Sequence, residues 1–235
     1  MKAFVDFHIH SCLSPCASLD MSPREIVARS QRAGMNCIAL TDHNCTRNLP
    51  AFHRACVAAG MHCLYGLEVT TAEEVHVLCL FDQLAPAVEF GEMIYARIPE
   101  IKNDPERFGE QPVITVDEEI IEFVDKLLVY AADISYFDLI PMALAAGALC
   151  IPAHIDREMY GALNVLGFLP ELPYDALEAV NRQMIDKKTA ARWPVIQSSD
   201  AHAPEHIGRR YTEIDTAGFS VPELREAFLH TLKNH

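Results

Sequence analysis

The 235-residue sequence predicts an α/β barrel of about seven strands, wrapped in helices and interrupted by an acidic insertion around residues 100–126. Three observations carry that prediction. Short β-rich runs alternate with helical stretches along most of the chain. The strand runs are apolar almost throughout, as strands are when helices cover the sheet. Neither G-x-G-x-x-G after the first strand nor G-x-x-x-x-G-K-[ST] occurs, which removes the signature of a nucleotide-binding doubly wound sheet.

The elements follow in order. The first strand is expected over Phe4–His8, the later ones over Cys37–Thr41, Cys63–Val69, Val75–Phe81, Leu149–Ala153, Leu177–Val180 and Val195–Ser198. A helix over Pro23–Ala33 has Ser22 as its N-cap, proline at its first position and Gly34 behind it. Leu49–Ala59 closes at Gly60; Tyr136–Ala146 starts at Ser135 and stops at Gly147; Val221–Lys233 ends the chain. Glu100–Lys126 breaks the rhythm with Pro105, Gly109 and Pro112, and its piece VITVDEEIIEF predicts a hairpin turning at Asp117–Glu119. It reads either as a solvated excursion or as a lid or subunit contact over the barrel mouth. No repeat, linker or low-complexity segment divides the chain, so residues 1–235 are expected to form a single domain.

Composition narrows the function. Half of the residues are hydrophobic, yet no stretch is long enough to span a bilayer, and the N-terminus lacks the layout of a signal peptide. A cytoplasmic protein is expected, with no membrane partner. In that compartment the eight cysteines read as thiols, core fillers or metal ligands rather than a disulfide framework. A net charge of -14 disfavours extended nucleic acid, which needs lysine and arginine against its phosphates. Nothing in the sequence fixes the oligomeric state.

The chemistry lies at the strand ends. His8 and His10 are two apart and share a strand face, with Asp6 expected beside them. CIALTDHN ends in Asp42 and His43, CLYGLEV carries Glu68, and EEVHVLCLF has His76 at a strand start. CIPAHIDR brings His154, and VIQSSDAH brings Asp200 and His202. In a parallel barrel these ends converge on one face. Imidazole and carboxylate together suit zinc, manganese or iron, and they outnumber the needs of one ion. Two or three divalent ions with a bridging carboxylate are therefore expected.

DFHIH, LTDHN, AHIDR and SSDAH, with the glutamate of GLEVT and the histidine of EVHV in order between them, resemble the motifs of the PHP (polymerase and histidinol phosphatase) family. The amidohydrolases share the His-x-His pair, but they bridge with a lysine, and none of the six lysines falls on a middle strand. The resemblance runs from Asp6 to His202 and implies a distorted (β/α)7 barrel, a trinuclear centre and a phosphoric ester hydrolase acting through a metal-activated water. It implies one ion held by His8, His10, Glu68 and Asp200, a second by Glu68, His76 and His154, and a third by His43 and His202 with a residue from the turn SCLSPCASLD. That turn departs from the family pattern and offers Cys16 or Asp20; Cys16 is favoured because its offset from His10 matches a histidine of some relatives. A thiolate there would bias the third site towards zinc.

Asp6 and Asp42 are expected to orient imidazoles, and Cys12 and Cys45 to pack nearby. Arg157 and Arg209 are candidate phosphate clamps, and His206 a candidate proton donor to the leaving group. Three divalent ions against Glu68, Asp200 and a Cys16 thiolate leave roughly +3, enough to draw phosphate into an acidic protein. A small phosphomonoester is the favoured substrate. A phosphodiesterase or exonuclease on nucleotides or short oligonucleotides is the alternative, as is a catalytically silent metal-binding module.

Overall fold

The computed structural model describes residues 1–233. In chain order the elements are β1 (Lys2–Ile9), α1 (Pro23–Arg32), β2 (Cys37–Leu40), α2 (Leu49–Ala59), β3 (His62–Thr70), β4 (His76–Phe81), α3 (Leu84–Tyr95) and α4 (Pro105–Phe108). Then come β5 (Pro112–Ile114), β6 (Ile120–Phe123), α5 (Tyr136–Ala145), β7 (Leu149–Pro152), α6 (Ala162–Val165), β8 (Leu177–Glu178), α7 (Lys187–Arg192), β9 (Val195–Ile196), β10 (Thr212–Asp215) and α8 (Val221–Lys233). The expected punctuation operates. The Ser22 hydroxyl accepts the Glu25 N–H at 3.2 Å, the Ser135 hydroxyl accepts that of Asp138 at 3.1 Å, and Gly60 ends α2 at φ +64°.

Six strands form one curled sheet in the order β10-β1-β2-β3-β4-β7. β1–β2 and β2–β3 are parallel, but β4 runs antiparallel to both β3 and β7. The sheet is therefore mixed, not wholly parallel. The cause is the short link from Thr70 to His76, which can only turn the chain back, since a parallel return needs a crossover of a dozen or more residues. Because β4 is reversed, as β10 is beside β1, its first residue lies at the end where β1, β2, β3 and β7 finish. That is how His76, at a strand start, reaches the same rim.

Further links curl the wall. The Ile155 N–H bonds the Glu178 carbonyl at 2.9 Å, β8 pairs in parallel with β9, and Ala201 bridges back to Ile9. One sheet face, with Val5, Phe7, Ala39, Leu64, Leu78 and Ile151, packs with Leu224 and Phe228 of α8. The other packs under α1, α2, α3 and α5 through Ile38, Leu67, Val77 and Cys150. A bulge in β1 switches faces: Val5 pairs with Cys37 but Ile9 with Leu40, one residue more on β1 than on β2. Val5 consequently joins the α8 side and Ile9 the opposite side. Asp6 thus leaves the face that His8 and His10 share.

The 100–126 segment contains α4 and the β5–β6 hairpin, closed at its base by a Lys102–Lys126 bridge. Glu118, at φ +68°, turns the hairpin. The segment is not simply solvated, because Val113, Val124 and Leu128 share a small core with Leu13 and Cys45.

Candidate metal centre

The bulge and the reversed strand deliver a dense cluster to the mouth. His8 Nε2 lies 3.1 Å from His10 Nε2, 3.3 Å from Glu68 Oε1 and 3.3 Å from Asp200 Oδ1. His10 Nε2 is 3.3 Å from Glu68 Oε2 and 3.4 Å from Asp200 Oδ1. Around Glu68 stand His76 Nδ1 at 2.8 Å, His154 Nε2 at 3.0 Å and His43 Nδ1 at 3.1 Å. The His202 ring stacks on His10 with centroids 4.1 Å apart. All are buried except His202, which is partly open. His154 and Asp200 reach their places through left-handed backbone, at φ +30° and +50°, the kind of strain that gathers at functional sites.

The outer nitrogens fix what the inner ones can do. His8 Nδ1 donates to the Glu178 carboxylate at 2.9 Å, and His10 Nδ1 donates to the Ser14 hydroxyl at 3.0 Å. That hydroxyl in turn donates to Asp42 at 2.7 Å. With both Nδ1–H groups so engaged, the two facing Nε2 atoms present lone pairs whenever the imidazoles are neutral, as metal binding requires, and so do the carboxylates beside them. Four acceptors converge with no donor among them. His43, His76 and His154 each bury an Nδ1 without a hydrogen-bond partner, a state that ordinarily costs about 1–3 kcal/mol per group. Divalent cations fit both features, and an all-imidazole and carboxylate donor set suits zinc, manganese or iron.

Without cations the ionised carboxylates keep protons on the nearest histidines instead. Burial works against charge at His8, but Glu178, Glu68 and Asp200 outweigh it and keep its pKa well above the usual value. His10 is raised likewise, burial again being overcome by Asp200 and Glu68. For His43 and His76 burial wins over Glu68 and the pKa falls; for His202 burial and the neighbouring His10 bring it to about 4. Burial would also raise Glu68 and Asp200, but the surrounding histidines pull both well below the carboxylate range.

Among the described residues three donor triads arise, each within 4.8 Å: His8–His10–Asp200, His43–Glu68–His76 and His10–His43–His202. The first has Glu68 alongside, 3.3 Å from both His8 and His10. In the second, His43 joins Glu68 and His76, while His154 touches Glu68 from the side. Cys16 falls in none of the triads. It is exposed at the rim, and its thiol is pushed up to about 12 by desolvation and by Glu68, Asp200 and Asp42. Asp20 lines a separate groove with Ser22, Glu25 and Glu118. Cys12 and Cys45 are buried.

Asp42 orients an imidazole as expected, though through Ser14 rather than directly. Asp6 does not. Turned off the face by the bulge, it accepts the Ser199 and Gly208 N–H groups at 2.9 and 3.2 Å, and burial raises its pKa to about 6. It anchors the segment that carries Asp200 and His202.

Glu178 was not singled out from the sequence. An acid inside the apolar strand run DALEAV was the available signal: a fully buried carboxylate needs a partner, and here the partners are His8 and the His154 N–H at 3.0 Å. Arg157 donates to Asp200 Oδ2 from the cluster edge, with 38% of its side chain exposed. Arg209 is engaged with the Ser199 carbonyl at 2.9 Å and the Asp200 carbonyl at 3.4 Å. His206 lies on a short 3-10 turn, Pro204–His206, outside the triads.

A family model described as PHP domain matches residues 6–187, and one described as PHP-associated matches 181–231. The DNA polymerase III PolC-type of Streptococcus pneumoniae is 33% identical over 72 residues, which are 30% of this chain and 5% of that protein. A 3',5'-nucleoside bisphosphate phosphatase of Chromobacterium violaceum is 33% identical over 93 residues, 38% of this chain and 32% of that one. The crystal structure of the lesion-specific endonuclease PfuEndoQ from Pyrococcus furiosus superimposes with a TM-score of 0.71 at 19% identity, over 97% of this chain and 56% of its own. The chain thus spans well under two thirds of each of these three, and the last likeness is one of fold.

Proposed function

This chain belongs to the PHP domain family, and from that premise we propose that it is a metal-dependent phosphoric ester hydrolase acting on a small phosphomonoester. One observation carries the reading: the Nε2 lone pairs of His8 and His10 converge with Glu68 and Asp200, with both tautomers set by Glu178 and Ser14. Two or three ions would be held by His8, His10, Glu68 and Asp200, by Glu68 with His76, His43 and His154, and by His43 and His202 with Cys16. When bound, such ions polarise phosphoryl oxygens and make water a competent nucleophile at neutral pH.

The chain's own groups do the rest. Glu178 and the Ser14–Asp42 pair keep lone pairs aimed inward. Arg157, part-exposed beside Asp200, is the group in reach of a phosphoryl oxygen at the rim. Arg209 spends its donors on backbone and steadies the Ser199–Asp200 segment. His206, on the turn after His202, is the proposed donor of a proton to the leaving alkoxide.

We take residues 1–235 as one distorted (β/α)7 barrel, β1-β2-β3-β4-β7-β8-β9. Asp200 and His202 lie in the stretch matched by the PHP-associated model, yet they complete a cluster begun by His8. A small substrate is supported by the charge of -14 and by the bisphosphate phosphatase among the relatives. The test is direct. Chelated protein is reloaded with Zn, Mn or Fe(II) and assayed on a 3',5'-nucleoside bisphosphate and a mononucleotide, beside bis-p-nitrophenyl phosphate and an abasic duplex. Monoester turnover with silent diesters supports the reading. Faster diester cleavage replaces it with a nuclease, and inertness of loaded protein on all four leaves a metal-binding module.

A further inference from the structure

We infer that Tyr160 is a positioning residue for the metal centre: its ring, stacked on His76, holds that imidazole in register with Glu68. The inference rests on the metal site proposed above, not on which ester that site hydrolyses.

His76 needs such a device. His8 and His10 are each fixed by a hydrogen bond from the nitrogen facing away from the cluster. Among the described residues, the His76 ring has no such outward hydrogen bond; its Nδ1 faces the cluster, 2.8 Å from Glu68 Oε1. What the ring has is a lid. Tyr160 lies over it with centroids 4.3 Å apart and planes 12° from parallel, whereas His43 and His154 meet it at 59°. The same residue holds the backbone, since the His76 N–H donates to the Tyr160 carbonyl at 3.0 Å. Ring and main chain of one ligand are thus clasped by one residue.

Tyr160 is itself held against its preference. It adopts φ +62°, a left-handed conformation that an aromatic L-residue takes only when its surroundings impose it. The surroundings are visible. A Cβ on Gly161 would stand 2.3 Å from the Arg157 carbonyl oxygen and 2.9 Å from that of His154, so glycine alone lets the turn close behind Tyr160. The turn is anchored elsewhere by Asp156, which accepts the Val180 and Asn181 N–H groups at 2.8 Å each, and by the Arg157 bond to Asp200. One tight strap, His154–Gly161, therefore spans the cluster from Asp200 to His76. A ring fixed at its end blocks rotation of the imidazole about its χ2 bond and keeps water off its outer face.

The experiment is a calorimetric zinc titration of the chelated 235-residue chain, with the melting temperature of the metal-free protein as a fold control. Tyr160→Phe keeps the ring and should titrate as wild type. Tyr160→Leu keeps comparable bulk but no plane, and should weaken one binding step about 10- to 100-fold while the other steps stay put. In the metal-free protein, the ring-current shift of the His76 proton resonances should survive in Tyr160→Phe and vanish in Tyr160→Leu. A leucine variant with every step unchanged overturns the inference. So does one in which all steps and the melting temperature fall together, which is a structural role. A phenylalanine variant as weak as leucine would move the role to the hydroxyl and overturn it too. Wild-type protein that takes up no zinc would instead sink the metal site itself, a failure seen before any variant is made.

Discussion

Replacing Glu178 by glutamine tests the tautomer argument at its root. The carboxylate is fully buried and accepts two hydrogen bonds, from His8 Nδ1 and from the His154 N–H. Glutamine keeps the shape, loses the charge, and turns one acceptor into a donor that must face an N–H. Losing a charge-assisted bond to a buried group costs about 1.5–3 kcal/mol, consistent with the 10- to 100-fold loss of metal affinity usual when an orienting partner is removed. A second effect opposes it. Glu178 heads the carboxylates that outweigh burial and raise the His8 pKa, so the variant's His8 gives up its proton more readily in the metal-free state. Proton competition matters at low pH and fades at high pH. The affinity gap between wild type and Glu178→Gln should therefore be widest near pH 8 and narrow towards pH 6. Competition with a chromophoric chelator at pH 6, 7 and 8 reads this directly. Equal affinities at pH 8, or a gap that widens on acidification, would refute the reasoning.

Replacing His8 or Asp200 by alanine should abolish esterase activity together with one tightly held metal equivalent, measured by elemental analysis; retained activity in both would remove them from the site. Cys16→Ser should lower zinc content by one equivalent at most and leave the other ions in place, and loaded wild type should protect Cys16 from alkylation, which peptide mapping after iodoacetamide checks. The stability of chelated protein should peak near neutral pH. His8 and His10 have raised folded pKa values, so their contribution is complete below 6.5 and disappears as pH climbs through those values. His43, His76 and His202 are lowered, so theirs is complete above 6.5 and disappears on acidification, towards about 4 for His202. Melting temperatures from pH 4 to 9 test this, with a flat profile as the contrary result; metal-loaded protein should lack the alkaline fall.

Which parts of this were legible in the sequence follows from what position in a strand can encode. Eight ligand candidates stood out because a polar residue at the end of an apolar run is conspicuous, and those ends meet wherever the sheet curls. Direction was less visible: the link from Thr70 to His76 did carry it, since so short a link forces reversal, but apolar pattern alone is blind to polarity of the chain. The β1 bulge could not be seen, because periodicity assumes one residue per position, and Asp6 was placed on the wrong face as a result. α3 was missed where LAPAVEFGEMIY carries Pro86 and Gly91. The glycine is there for contact rather than flexibility, as a Cβ would lie 2.1 Å from Thr46 Oγ1. Tyr160 had no local signal at all, since its role exists only once β4 is reversed and His76 comes to lie beneath it.

The arrangement of positive charge decides how substrate attraction must work. In a chain of net charge -14, Arg157, Arg209 and Arg210 gather near Asp200, but they are committed inward. Arg157 bonds the Asp200 carboxylate, Arg209 the Ser199 and Asp200 carbonyls, and Arg210 the Ser198 and Ser199 carbonyls at 3.2 and 3.0 Å. They hold in place the segment that delivers Asp200 and His202, and of the three only Arg157, part-exposed, is proposed to share its donors with an anion. Around the cluster itself stand Glu68, Asp200 and Glu178, all ionised by their histidine neighbours. Without cations such a pocket repels phosphate; with them it attracts phosphate. The ions therefore set substrate affinity as well as reactivity, and partial metal loss should raise KM and lower kcat together rather than separate them.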